Sequence, residues 1–146
     1  MTSTKTAADT LANALPHALP EDEAARIALL GIRRLGAHGL HDANAANAYV
    51  ATFGEGFRRP LVLMRNFMAD VASAAAGPIP IAPCCCSRMT SAEHTLLTVL
   101  GRVERNPESA MLLLTDLLGA RTADGVLASA HALAGAFADS GRPISG

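Results

Sequence analysis

Residues 60–77 read PLVLMRNFMADVASAAAG, and this stretch decides the architecture because it is the longest apolar segment of the chain. Apolar side chains recur in it at helical spacing, and further ones widen the stripe until the segment is apolar nearly all round. They are Leu61, Leu63, Met64, Phe67, Met68 and Val71. Arg65 and Asp70 interrupt it, and a charge at the centre of a bilayer would cost about 2.5–3.5 kcal/mol. We therefore predict a helix at the centre of a bundle rather than a membrane span.

Helical patterns surround this central segment, and most of them begin with a capping signal. Asp42 and Asn106 precede two of them, and residues 90–93 (TSAE) fit the capping box in which a threonine and a glutamate satisfy each other's amides. Pro20 is placed to open the first helix and Thr122 to cap the last. Because no stretch alternates apolar and polar residues like a half-buried strand, the sequence predicts an all-α, compact bundle of about six helices.

The first predicted helix has one face that is expected to be buried. Ile27, Leu30 and Leu35 are predicted to form this stripe, with three small residues beside them: Ala24, Ala28 and Gly31. Arg33 and Arg34 fall in its last turns, where a positive charge interacts favourably with the helix dipole. The pattern therefore predicts that both arginines serve the end of the helix.

The length of 146 residues fits one domain, with a tail at each end. Residues 1–19 have weak periodicity and are predicted to be a mobile N-terminal tail. Residues 20–140 are predicted to be a single helical domain, and residues 141–146 a frayed C-terminal tail.

The charge balance argues against two classes of partner. Twelve basic and thirteen acidic residues give a net charge of −1, and no basic run exceeds two residues. Such a chain has no field that attracts nucleic acid or a membrane surface, so neither is expected as a partner. Residues 1–20 lack the apolar run of a secretory signal, so we expect a cytoplasmic protein whose cysteines are thiols.

Residues 78–89 read PIPIAPCCCSRM and contain the strongest chemical signal. The prolines hold this segment extended or in turns, and in an extended segment Cys84 and Cys86 face one side while Cys85 faces the other. The spacing of two to four residues typical of cysteine ligands in structural zinc sites is absent. A soft transition metal held by Cys84, Cys86 and His94 is one interpretation of the triplet.

Two other interpretations of Cys84, Cys85 and Cys86 stand beside the metal. One thiol acts as a nucleophile and another resolves it, with Arg88 and the N-terminus of the next helix favouring the thiolate. Alternatively, all three are small buried thiols that are inert because burial disfavours the charged form.

Two further groups of side chains are candidate sites. His38 and His41 could share a metal if the backbone between them is helical. Arg58, Arg59 and Arg65, together with Arg88, could form an anion-binding pocket beside a helix N-terminus. Solvated side chains and internal ion pairs are the alternative explanations of both groups.

Several segments together resemble a known family. They are residues 82–90 (APCCCSRMT) with Glu93, the pair Arg33–Arg34, residues 39–43 (GLHDA) and residues 58–63 (RRPLVL). Over about residues 21–120 the chain is similar to a family of short uncharacterised bacterial proteins. The resemblance implies that these segments form one unit and transfers no activity.

These observations lead to three hypotheses about function. We predict a non-enzymatic binding or sensing module whose thiol-rich loop responds to a soft metal or to oxidation. A thiol-redox enzyme is the first alternative. A structural or oligomerisation module with inert cysteines is the second, in which the small-residue face of Ala128, Ala132 and Ala136 packs against another copy of the chain.

Overall fold

The computed structural model describes residues 15–145. In this range the chain forms six α-helices, one 3₁₀ turn and two short strands. The elements are β1 (His17–Ala18), α1 (Glu23–His38), α2 (Ala43–Phe53), the 3₁₀ turn (Gly54–Phe57), α3 (Arg58–Ala74), β2 (Arg88–Met89), α4 (Ser91–Arg102), α5 (Pro107–Leu118) and α6 (Asp124–Asp139). The predicted all-α bundle of about six helices is confirmed.

Helix α3 lies at the centre of the bundle, as its all-round apolar pattern predicts. It packs along α6 and also contacts α1 and α2. Its buried side chains are Pro60, Leu61, Met64, Phe67, Met68 and Val71. Within residues 15–145, no helix combines the length and apolar character needed to cross a bilayer.

An aromatic cluster joins α2 to α6. The ring of Phe53 lies 5.5 Å from that of Tyr49 and 5.1 Å from that of Phe137, both measured between centroids. Tyr49 is completely buried, and its hydroxyl donates a hydrogen bond to the carbonyl of Ile27, 3.2 Å away in α1. Burial raises the pKa of Tyr49, so the phenol stays neutral and α2 is held to both neighbours.

The structure corrects the starts of two helices. Helix α1 begins after Asp22, whose side chain accepts a hydrogen bond from the amide of Ala25, and not at Pro20. Helix α6 begins after Ala123, which has no side chain able to cap it. Thr122 lies one residue too early in the chain to serve as the N-cap, so that prediction is wrong.

The predicted buried stripe of α1 is confirmed in part. Leu35 is buried as predicted, and so are the small residues Ala24, Ala28 and Gly31. Ile27 and Leu30 are only half-buried, and Leu29, Ile32 and Arg33 are buried in addition. This orientation of α1 matters for function because it directs Arg33 at the cysteine-bearing loop.

Both chain ends are docked where the structure describes them. Strand β1 pairs with β2 in an antiparallel ladder with His17 opposite Met89, and Leu15 is buried. Residues 15–19 of the predicted N-terminal tail, residues 1–19, thus lie against the helical domain in the structure, and the mobility of the tail stays a prediction. Residues 1–14 of that prediction lie outside the described residues.

At the other end, Ile144 is buried and the amide of Ser145 donates to a carboxylate oxygen of Asp22, 3.1 Å away. The end of the predicted frayed tail, residues 141–146, thus contacts the start of α1 in the structure, and its fraying stays a prediction. Gly146 lies outside the described residues.

Candidate functional site

The three cysteines lie on a surface turn between α3 and β2. The amide of Cys86 donates to the carbonyl of Pro83, 3.0 Å away, so the chain turns at Cys84 and Cys85, which is the second of the two conformations predicted for this segment. All three are free thiols; the first two are exposed and Cys86 is half-buried. This exposure contradicts the interpretation of the triplet as inert buried thiols.

A buried ion pair lies beneath this turn. The guanidinium of Arg33 donates from Nε to Glu93 Oε2 at 2.7 Å and from Nη2 to Oε1 at 3.2 Å. Their side chains are only 3% and 0% exposed. Burial of two charges is expensive, and this bidentate geometry together with further hydrogen bonds compensates for the lost hydration.

The same ion pair fixes the backbone of the cysteine loop. Arg33 Nη1 donates to the carbonyl of Cys86 at 2.8 Å, and Nη2 donates to the carbonyl of Arg88 at 2.7 Å. Glu93 Oε2 accepts from the amide of Ala82 at 3.3 Å. The loop is therefore held on both sides of the cysteines by one charged pair.

The predicted capping box is confirmed and completes this arrangement. Thr90 Oγ1 accepts from the amide of Glu93 at 3.0 Å, and Glu93 Oε1 accepts from the amide of Thr90 at 2.9 Å. The Thr90 hydroxyl also donates to the carbonyl of Pro80 at 2.8 Å. Glu93 thus serves both the start of α4 and the buried ion pair.

Arg34 places a positive charge beside the first thiol. Its Nε and Nη2 donate to the two carboxylate oxygens of Asp42 at 3.0 and 3.1 Å, and its Nη1 lies 3.6 Å from Cys84 Sγ. The hydrogen bond to Asp42, and after it the one to Cys84, raises the pKa of Arg34. In return, Arg34 lowers the pKa of Asp42. Asp42 also caps α2 by accepting from the amide of Ala45, so its position is fixed.

Arg88, the cation predicted to support a thiolate, has other partners. Its Nε donates to the carbonyl of Leu15 at 2.8 Å and its Nη2 to that of Pro16 at 2.7 Å. Because β1 pairs with β2, the side chain of Arg88 lies against the N-terminal segment. Arg34 takes the position beside sulfur that the sequence assigned to Arg88.

His94 is stacked on another histidine instead of joining the cysteines. The rings of His94 and His17 are 4.0 Å apart between centroids and inclined by 6°. Desolvation, followed by the charges of His17 and Arg102, lowers the pKa of His94. No three His, Cys, Asp or Glu side chains converge as a metal site within residues 15–145, so Cys84, Cys86 and His94 are not brought together as a ligand set.

The His38 and His41 pair lacks the geometry on which its prediction depends. Gly39, at φ +100°, ends α1 between the two residues, so they do not share a helical face. Both histidines are exposed. The backbone conformation that would have directed both rings at one metal is therefore absent.

The candidate anion-binding arginines have separate surroundings. Arg59 pairs with Asp139 of α6 at 2.7 Å, and the guanidinium of Arg58 lies over the Phe57 ring, 5.9 Å from its centroid. Arg65 Nε is buried and has no hydrogen-bond partner among the described residues. A shared anion pocket stays a prediction.

The small-residue face proposed for oligomerisation is only partly available. Ala136 is completely buried within the chain, Ala132 is half-buried, and Ala128 is exposed. Helix packing inside the molecule therefore uses one end of this face, and a homo-oligomer stays a prediction.

Sequence reasoning missed the interior role of Arg33 and the position of Arg34 beside sulfur. A signal for the first was present: Arg33 follows Leu29 by four residues, which places it on the helix face that Leu29 occupies. The contact of Arg34 depends on a turn 50 residues away in the chain, and helical periodicity carries no information about it.

Comparison with known proteins places the chain in a family. No curated protein and no solved structure matches it. The model of a family of unknown function, DUF6628, matches residues 6–137 and so includes every helix of the site. That the family shares the cysteine motif, and that the protein comes from a bacterium, stay expectations from the sequence. The match spans most of the sequence, and the chain therefore belongs to the DUF6628 family.

Proposed function

We propose that this chain is a non-enzymatic binding or sensing module whose reactive group is the thiol of Cys84. The observation that carries the proposal is the 3.6 Å contact between Arg34 Nη1 and Cys84 Sγ at the protein surface. Cysteines that lie beside an arginine and are accessible to solvent have the features of reactive thiols.

The rigidity of the surroundings supports a specific role for this contact. Asp42 holds Arg34 through two hydrogen bonds, and Asp42 is itself fixed by capping α2. The loop backbone is fixed by Arg33 at Cys86. The Arg34 guanidinium and the loop that carries the Cys84 sulfur are therefore both held in place before the thiol reacts. Keeping them in contact during the reaction costs little further side-chain entropy.

Oxidation is favoured over metal binding as the event that the module reports. Cys84 and Cys85 are open to a small oxidant, and a metal would need further ligands that residues 15–145 do not direct at these sulfurs. The same surroundings favour a sensor over an enzyme. A cavity of about 400 Å³ lies between α1, α3 and residues 77–81, but its walls are apolar and include neither Cys84 nor Arg34.

The test measures alkylation of Cys84 in the full chain carrying Cys85→Ser and Cys86→Ser. Iodoacetamide labelling at pH 7 is followed by intact mass, with and without Arg34→Gln. We expect Arg34→Gln to slow labelling by about two- to fivefold, the effect of losing one exposed charge contact.

Arg58→Gln is the matched control, because it removes an exposed arginine from α3 and is expected to leave the rate unchanged. Circular dichroism verifies that both variants keep their helices. Equal labelling rates with and without Arg34→Gln would contradict the proposal, because the rate would then not depend on the guanidinium.

A further inference from the structure

We infer that oxidation of this loop forms a disulfide between Cys84 and Cys86 and leaves Cys85 free. The inference deepens the proposed function and rests on it, because Cys84 is taken as the thiol that reacts first. It assigns the resolving thiol, which the exposure of the three cysteines alone does not identify.

Chain geometry excludes the neighbouring pairs from ordinary disulfides. Consecutive Cα atoms across a trans peptide are about 3.8 Å apart, whereas an ordinary disulfide joins Cα atoms about 4.4–6.8 Å apart. The pairs Cys84–Cys85 and Cys85–Cys86 are therefore too close. Cys84 and Cys86 are the two members of the triplet that are separated by one residue.

The turn brings that pair into range. Two residues of fully extended chain span about 6.6–7.2 Å, which straddles the upper limit of about 6.8 Å for a disulfide. The hydrogen bond from the amide of Cys86 to the carbonyl of Pro83 closes the chain into a turn and shortens the distance from Cys84 to Cys86.

The two thiols also differ in a way that suits two roles. Cys84 is exposed and contacts Arg34, and the proposed function takes it as the thiol that the oxidant attacks. Cys86 is half-buried, and its amide and carbonyl are both hydrogen-bonded, the carbonyl to Arg33 at 2.8 Å. A resolving thiol held close by and partly shielded from the oxidant attacks the oxidised sulfur before solvent components do.

The oxidant is a hydroperoxide. The Cys84 sulfur attacks one peroxide oxygen, the O–O bond breaks, the thiol proton goes to the departing oxygen, and a sulfenic acid forms with release of water or an alcohol. Cys86 sulfur then attacks Cys84 sulfur, the S–O bond breaks, and the hydroxyl leaves as water with the proton of the Cys86 thiol. Two thiols lose two electrons and two protons in total, and the peroxide gains both.

The test treats the full chain and three single variants with equimolar hydrogen peroxide and follows intact mass and free-thiol count. Wild type and Cys85→Ser are expected to lose about 2 Da and two free thiols, as disulfide formation requires. Neither Cys84→Ser nor Cys86→Ser is expected to lose 2 Da, and Cys86→Ser should instead gain about 16 Da, because the sulfenic acid at Cys84 has no resolving thiol. The Cys85→Ser chain serves as the matched control for the two other serine substitutions.

Two results would overturn the inference. In one, Cys84→Ser loses 2 Da as fast as wild type, which would assign the bond to Cys85 and Cys86. In the other, a dimedone adduct reports sulfenic acid at Cys84 but no disulfide closes in Cys85→Ser. The second result would leave the proposed function standing, because Cys84 would still be the reactive thiol, whereas equal alkylation rates with and without Arg34→Gln would remove that function itself.

Discussion

Arg33 and Glu93 are the two charged side chains that support the cysteine loop from inside the bundle. Every nitrogen of the Arg33 guanidinium donates to an acceptor, and those acceptors are Glu93 and the carbonyls of Cys86 and Arg88. A buried charge with all its hydrogen bonds made is tolerated, but the same charge without its partner is not. The dependence of the loop on this pair can therefore be measured by removing one charge.

Glu93→Gln keeps the size of the side chain and removes its charge. We expect it to lower the free energy of unfolding by about 3–5 kcal/mol, because Arg33 would remain charged in the interior. Urea denaturation followed by circular dichroism gives this value. Glu104→Gln, an exposed change just beyond the end of α4, is the control and should stay within about 0.5 kcal/mol of wild type. A loss below about 1 kcal/mol for Glu93→Gln would contradict the assigned role of the pair.

For individual residues, the sequence predicted contacts between neighbours in the chain and missed contacts between residues that are far apart in it. The capping box of Thr90 and Glu93 was predictable because its partners are three residues apart. The pairing of Arg33 with Glu93 joins residues that are 60 apart in the chain. The local pattern showed only an arginine near a helix end and therefore predicted an interaction with the helix dipole. The same limit explains why Arg88 was expected beside sulfur where Arg34 lies.

Helices α1, α2 and α3 approach closely at Gly31. A Cβ at this position would lie 2.6 Å from Tyr49 Oη and 3.0 Å from Met64 Cγ. The hydroxyl that fills this space is the one that donates to the carbonyl of Ile27. A side chain as small as alanine would therefore displace the phenol and its hydrogen bond.

Gly31→Ala is expected to lower the free energy of unfolding by about 1–2 kcal/mol, because overpacking outweighs the gain in helix propensity. Gly125→Ala in α6 is the matched control: a Cβ there meets nothing within 4 Å, so the change should be neutral or stabilising. Adding Tyr49→Phe to Gly31→Ala should recover part of the loss. Strictly additive effects in this double-mutant cycle would contradict the contact.

Element existence was predictable, whereas the faces of the elements were predictable only in part. Periodicity and caps located the helices, because both signals lie within about four residues of the positions they describe. Helix α3 has an apolar surface nearly all round, so no choice of face was needed. Helix α1 offered a choice, and its predicted stripe was right for Leu35 but not for Ile27 and Leu30, which are only half-buried.

In the whole molecule, both described chain ends meet near the start of α1. Strand β1 lies against β2, and Ser145 reaches Asp22 at the N-cap of α1. Ala18, His94 and Ser145 line one cavity of about 210 Å³ between them. No local pattern predicted this closure, because strands of two residues carry no periodicity and the partners are far apart in sequence.

The histidine stack beside this junction makes stability depend on pH. Desolvation and the charges of His17 and Arg102 lower the pKa of His94 below its ordinary value of 6.5, so the unfolded chain binds the proton more readily than the folded one. The free energy of unfolding should therefore fall as the pH drops below 6.5, until the lowered folded pKa is passed.

Urea titrations at several pH values should show a smaller fall in the free energy of unfolding for His94→Phe, which keeps a ring against His17 but has no group that binds a proton. His131→Gln, an exposed change on α6, should retain the wild-type fall. An undiminished fall in His94→Phe would place the pH dependence elsewhere in the molecule.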